Sequence, residues 1–222
     1  MTDQGFQFIN EAFETECVTP GQLDFLLADG WRRFGTKFHR YNLNIYDDNI
    51  VLVVPLRVRL SDFHFSKSQR RSLRKNADLR FEIGPADLTS AVHDLFDAHK
   101  QRFRSDPPPS IYTFLSREHD IPCPTHQLTV SDESGRLLAA SFIDAGDVSV
   151  SSIYGIFDPE GAKRGLGILT MLKEIEWAIE NGKSHYYPGY AYDTSSFYDY
   201  KKRFSALEHL DWKGSWLPAA SD

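Results

Sequence analysis

The segment from Leu166 to Glu180 limits this chain more than any other. It carries Leu166, Leu169, Leu172, Ile175 and Ile179 at three- and four-residue spacing, the stripe of a helix that buries one face. Asn181-Gly182 closes it with a residue suited to the left-handed conformation. Strand patterns flank it, Asp147 to Phe157 before and Ser184 to Tyr190 after. A helix with one apolar face between two strands has to lie on the sheet those strands join. His126 to Val130 and Arg136 to Ile143 are earlier strands about the turn Asp132-Glu133-Ser134-Gly135. A short helix, Ser195 to Phe204, and a last strand, Leu207 to Trp212, come after. The class predicted is α/β (α+β), a mixed, mostly antiparallel sheet flanked by helices.

Thr19-Pro20 ahead of Leu23, Leu26 and Leu27 predicts a capped helix ending at Gly30. Trp31 to Tyr41 and Ile50 to Leu60 read as strands joined through Asp47-Asp48-Asn49. Ser66 to Asn76 reads as a helix, because Ser66 with Gln69 three residues on has the form of a capping box. Lys67, Arg70, Arg71 and Arg74 fall on one face of it and Leu73 is its one apolar residue, so it has no stripe with which to enter a core. Asp87 to Phe103 is strongly amphipathic, Arg104 to Pro109 with its three prolines is a loop, and a helix near Ile111 to Arg117 precedes a second loop at Pro122 and Pro124.

At 222 residues, 41% hydrophobic and 14% aromatic, the chain has the composition of an ordinary globular protein. No apolar run approaches the roughly 18 residues of a membrane span, and Met1-Thr2-Asp3-Gln4 does not open a secretory signal, so no membrane and a cytoplasmic location are expected. Two cysteines, Cys17 and Cys123, make neither a disulfide framework nor a CxxC zinc pair. The net charge is −6, which taken alone speaks against nucleic acid. Yet Arg57, Arg59, Lys67, Arg70, Arg71, Arg74 and Lys75 oppose only Asp62 between positions 57 and 75. One cationic segment in an acidic chain predicts one localised polyanion contact.

Several short runs resemble a known family. They are Gly30-Trp31-Arg32-Arg33-Phe34-Gly35; Pro55-Leu56-Arg57-Val58-Arg59; Ser66-Lys67-Ser68-Gln69-Arg70-Arg71 with Asn76-Ala77-Asp78-Leu79; Ser152-Ile153-Tyr154 with Phe157-Asp158-Pro159; Arg164-Gly165-Leu166-Gly167; Tyr187-Pro188-Gly189-Tyr190; and Tyr200-Lys201-Lys202-Arg203-Phe204. In this order they resemble the arginyl-tRNA–protein transferases and the bacterial aspartate/glutamate leucyltransferases, which move an amino acid from charged tRNA to a protein N-terminus. The resemblance implies a GNAT-like acyltransferase fold, with residues 1–80 as an N-terminal subdomain bearing the basic helix and 81–222 as the aminoacyltransferase core. Aminoacyl-tRNA is then the co-substrate, and the acceptor is the amine of a protein, a peptide or a small molecule. The family's N-terminal cysteines are thought to hold a metal or cluster. Here the stretch before Pro55 reads Asn42-Leu43-Asn44-Ile45-Tyr46 through Val53-Val54, without the thiolates such a site requires, so no metal and no cofactor are expected.

Amine attack on an aminoacyl ester needs a neutral amine, aligned reactants and oxyanion stabilisation. For the tRNA acceptor end the candidates are Ser66, Lys67, Ser68, Gln69, Arg70, Arg71 and Arg74, then Arg164, Gly165 and Gly167 of the loop before the long helix, and Lys201 and Arg203. Asp158, at a strand end, is a candidate base or a turn-forming Asp-Pro. Tyr154 and Tyr190 are candidates for orienting substrate or for the core. Arg32, Arg33 and Arg57 are candidates for reading an acidic acceptor residue. His93 and His99 lie six apart on one helix, which is not a zinc spacing. Three other activities fit the same residues: tRNA-dependent amide formation on a small molecule or peptide, acetyl-CoA-dependent N-acyl transfer, and non-catalytic tRNA or degron binding.

Overall fold

Local chemistry sets the first helix, α1 (Pro20–Ala28). The Gln22 amide donates to the Thr19 hydroxyl (3.3 Å) and the Thr19 amide to the Gln22 side chain (2.9 Å), a capping box with proline just inside it. The computed structural model describes residues 7–103, 107–118 and 121–219. Arg104 to Asp106 of the proline loop and the first six residues lie outside them. The predicted strand from Trp31 to Tyr41 is a hairpin instead, β2 (Arg32–Phe34) and β3 (Lys37–Tyr41), which turns at Gly35 with φ of 58°. With β1 (Asn10–Glu14) it forms a small sheet in the order β1-β3-β2.

The main sheet takes β4 (Leu43–Tyr46), β5 (Asn49–Arg59), β6 (Arg80–Pro85), β7 (Thr125–Ser131), β8 (Leu137–Ala145), β9 (Ser149–Phe157), β10 (His185–Tyr192), β11 (Leu207–Leu210) and β12 (Trp216–Pro218). Its order is β12-β11-β5-β10-β9-β8-β7-β6, with β4 on the end of β5. Every pairing is antiparallel except β9 with β10, the two strands that α4 (Leu166–Glu180) connects. The α+β class and the GNAT-like order of elements are therefore those expected. The division at residue 80 is not where the sheet divides, since β5 sits between β11 and β10 and bonds to both.

Two further helices lie on this frame. The first, α2 (Lys67–Lys75), starts at its Ser66 capping box as predicted. The second, α3 (Ser90–Lys100), is shorter than the predicted Asp87–Phe103. The Ala86 and Asp87 amides bond to Thr125 and to the Gln127 side chain, which holds the chain extended beyond β6. The helix expected at Ile111–Arg117 is a single 3₁₀ turn, Ile111–Thr113. Along α4, Leu166, Leu169, Leu172 and Ile175 are buried against the sheet, but Ile179 is 44% exposed and Ala178 takes the inward place. The strand predicted over Leu207–Trp212 stops at Leu210 because Asp211 accepts the Lys213 and Ser215 amides and turns the chain into β12. Among the described residues no helix is long and apolar enough to cross a membrane.

Candidate active site

The parallel strands β9 and β10 pair only from Ser149–Ser151 to His185–Tyr187 and then diverge. Beyond Ser151, the side of β9 that faces β10 has no strand partner. Its ladder with β8 also shifts register there, so Ile153 has no partner across it. A wedge opens between Tyr154 on one wall and Tyr190 on the other. The small sheet and the turn after α3 close it with rings in a chain of contacts. Tyr154 stacks on Phe114 (3.7 Å), Phe114 meets Phe34 (5.2 Å), Phe34 meets His39 (5.1 Å), and His39 and Tyr41 both meet Tyr190 (6.2 and 5.3 Å).

Two cations enter this aromatic wedge. Arg32 is 5% exposed, donates to the Trp31 and Leu56 carbonyls (2.7 and 3.2 Å), and lies over the Tyr187 and Tyr190 rings at 5.0 and 5.4 Å. Its Nε has no partner, and among the described residues no carboxylate pairs with it. A buried guanidinium without a counter-ion is costly, and its burial pulls its pKa below the ordinary value. Lys201, half-buried on the 3₁₀ turn Phe197–Arg203, donates to the Tyr190 carbonyl (3.1 Å) and faces the Tyr198 ring at 5.0 Å. Gly189, at φ of 96°, makes room for it, since a β-carbon there would stand 3.2 Å from Nζ. Burial, with Arg32 beside it, pulls the Lys201 ammonium down to about 7. Burial and the same arginine hold His39 down to about 4, so that imidazole is neutral at physiological pH.

The other sequence candidates divide by what already holds them. Arg33 makes a bidentate pair with Asp144 (2.6 and 2.7 Å) and bonds to Thr125, so it is a structural cation with nothing left for an acceptor. Arg57 is bound by Glu208 (2.6 Å) under the Trp216 ring, and no acceptor role is left to it either. Asp158 is no free base: it caps the following 3₁₀ turn through the Glu160 amide (2.9 Å) and pairs with Arg136. The Tyr190 hydroxyl donates to the Gly30 carbonyl (2.6 Å), which leaves its ring as the wall of the wedge. The Tyr154 hydroxyl is buried without a partner among the described residues, and burial lifts it to about 12.

In α2 the exposed face carries Lys67, Arg70, Arg71 and Arg74, none of which pairs with a carboxylate among the described residues. Ser66 caps the helix and its hydroxyl lies 3.0 Å from that of Ser68, so the amide of Gln69 is already taken. Gln69 is buried and ties the helix to the Arg203 carbonyl (3.3 Å), a structural role in place of an RNA contact. At the other end Asn76 bonds to the Arg164 carbonyl (3.1 Å), and Arg164 itself forks onto Asp78 (3.0 and 2.9 Å). Gly165 supplies a left-handed turn (φ 70°), and Gly167 leaves space for the Phe157 ring, 3.1 Å from a β-carbon built there. Sequence reasoning missed Glu174, a fully buried carboxylate on α4 that accepts from the Tyr186 hydroxyl (2.6 Å) and that burial raises to about 7. The sequence holds no signal that separates it from Glu176, since the two acids flank Ile175 on either side.

The description "Arginine-tRNA-protein transferase, C terminus" belongs to the family model that matches residues 90–211. The chain belongs to this family. An aspartate/glutamate leucyltransferase of Xanthomonas campestris pv. campestris (strain B100) is 33% identical over 180 residues, 75% of this chain and 70% of its own. One from Marinobacter nauticus is 32% identical over 201 residues, 89% of this chain and 82% of its own. The C-terminal domain (DUF2156) of an Agrobacterium fabrum protein has the same fold, with a TM-score of 0.51 at 16% identity over 82% of this chain and 55% of that one. The chain is thus an aminoacyl-tRNA-dependent transferase, and the matched region contains Tyr154, Tyr190 and Lys201.

Proposed function

We propose that this transferase moves a leucyl group from tRNA to the N-terminal amine of proteins that begin with aspartate or glutamate. The observation that carries the reading is Arg32, a buried cation inside an aromatic wedge with no carboxylate partner among the described residues. A side-chain carboxylate of the acceptor completes that ion pair bidentately, and a neutral first residue leaves it unpaired. The donor side fits an apolar group for the complementary reason. Rings line the wedge, and the nearby acids Asp144, Asp158 and Asp199 are engaged by Arg33, Arg136 and Lys202. An arginyl side chain would need a carboxylate there.

The exposed cations of α2 serve the RNA, as Lys67, Arg71 and Arg74 present charge to a phosphate backbone beside the first turn of α4. The unpaired side of β9 beyond Ser151 offers backbone N–H groups to the oxyanion formed when the amine attacks the ester. No metal or cofactor enters this scheme, and charged tRNA as donor places the protein in the cytoplasm. The test is incubation with total radiolabelled aminoacyl-tRNA and peptides differing only in their first residue. Label is expected from leucyl-tRNA on peptides beginning with Asp or Glu, and Arg32→Gln lowers that rate about 100-fold while tRNA binding persists. Equal transfer to peptides beginning with Asp and with Ala overturns the reading.

A further inference from the structure

We propose that Lys201 is the group that takes the proton from the acceptor's α-ammonium, a catalytic residue of the transfer and not a phosphate contact. The inference rests on the function proposed above and deepens it. Both cations of the wedge meet on Tyr190: Arg32 lies over its ring and the Lys201 ammonium bonds to its carbonyl. An acidic N-terminal residue carries its carboxylate and its α-nitrogen only a few bonds apart, so a carboxylate on Arg32 brings the nitrogen to Lys201. Neighbours flank the half-buried lysine. A β-carbon at Gly189 would stand 3.2 Å from Nζ, a tight contact, and the Tyr198 and Tyr200 rings lie 5.0 and 6.0 Å from it.

The Tyr190 carbonyl and the Tyr198 and Tyr200 ring faces favour the ammonium, but burial and the Arg32 cation outweigh them. Arg32 from β2 is a cation, and His39 and Tyr41 from β3 are neutral at physiological pH. On β10, burial raises Tyr187, Tyr190 and Tyr192 above the ordinary tyrosine value. On its own turn, burial raises Tyr198 and Tyr200 likewise, and Asp199 is occupied by Lys202 at 2.8 Å. Glu174 from α4 is bound to Tyr186. Burial beside a cation favours the uncharged form of an amine, the state a base requires.

Neutral Nζ takes one proton of the α-ammonium, and the freed amine forms the N–C bond to the ester carbonyl. The ester C–O bond then breaks, its electron pair stays on the ribose oxygen, and that oxygen takes the proton back from Nζ. The second surplus proton, on the new amide nitrogen, passes to Nζ and leaves to water. No oxidant, reductant or further reactant is needed.

Two measurements on the full chain test the proposal. Trace acetic anhydride labelling across pH, read peptide by peptide by mass spectrometry, is expected to give Lys201 a midpoint near 7. Adding an acidic-N-terminal peptide neutralises Arg32 and moves the Lys201 midpoint upward. Lys201→Arg installs a permanent cation that cannot accept a proton, so kcat falls about 100-fold or more with tRNA affinity unchanged. A midpoint near 10 overturns the proposal, as does a folded Lys201→Arg protein that keeps more than a third of wild-type kcat. Wild-type transfer in the same preparation reports on the proposed function alone, so the two failures are told apart.

Discussion

Arg33 sits between both oxygens of Asp144 and the Thr125 hydroxyl, all of them buried. Removing one partner of a buried pair strands the other charge. Asp144→Asn is therefore expected to lower unfolding stability by about 3–5 kcal/mol in urea melts, and a joint Arg33→Met, Asp144→Leu variant recovers most of the loss. An unchanged melt for Asp144→Asn refutes the structural assignment of Arg33. The sequence shows two adjacent arginines and nothing to separate them. Arg33 finds its counter-ion 111 positions away and Arg32 finds none among the described residues, and only the folded sheet decides which is which.

The helix α2 was legible because what makes it is local: a capping box four residues long and a face of cations. Its electrostatic role has a direct readout. Replacing Lys67, Arg71 and Arg74 together by alanine should flatten the slope of log tRNA affinity against log salt by about 2–3, with melting nearly unchanged. A slope equal to wild type would show that the RNA lands elsewhere. Ser66→Ala loses the cap and should cost about 1 kcal/mol of stability. The strand β6, by contrast, escaped the sequence, since Phe81 and Ile83 are its only large apolar residues and its ladder to β7 supplies the rest. The single strand expected over Trp31–Tyr41 failed for a related reason. Gly35 at positive φ breaks the run, and the Phe114 carbonyl that fixes its amide comes from a distant loop.

Over the whole molecule, buried titrating groups set how stability changes with pH. Burial raises Glu174 from 4.5 to about 7, so between these values the folded chain keeps a proton that the unfolded chain has released. Its contribution falls as pH rises through that window, by roughly 1.4 kcal/mol per unit, and levels above about 7. Burial lowers His39 and His99 from 6.5 to about 4, and they act oppositely, adding stability as pH rises from about 4 to 6.5. The difference between Glu174→Gln and wild type isolates the first effect. The variant should gain melting temperature relative to wild type between pH 5 and pH 8, and a constant offset would contradict a buried acid at that position. The sequence exposed the long helix and the strands that flank it. It did not expose the wedge, because Arg32, Phe114, Tyr154, Tyr190 and Lys201 are drawn from five separate stretches and meet only once β9 and β10 part.

Gln69 fastens one end of α2 to the turn that carries Lys201, and Asn76 fastens the other to the loop that opens α4. A splint riveted at both ends cannot swing on its own. On the proposed reading, in which α2 holds the RNA and Lys201 serves the amine, these two ties set the spacing between donor and acceptor before either arrives.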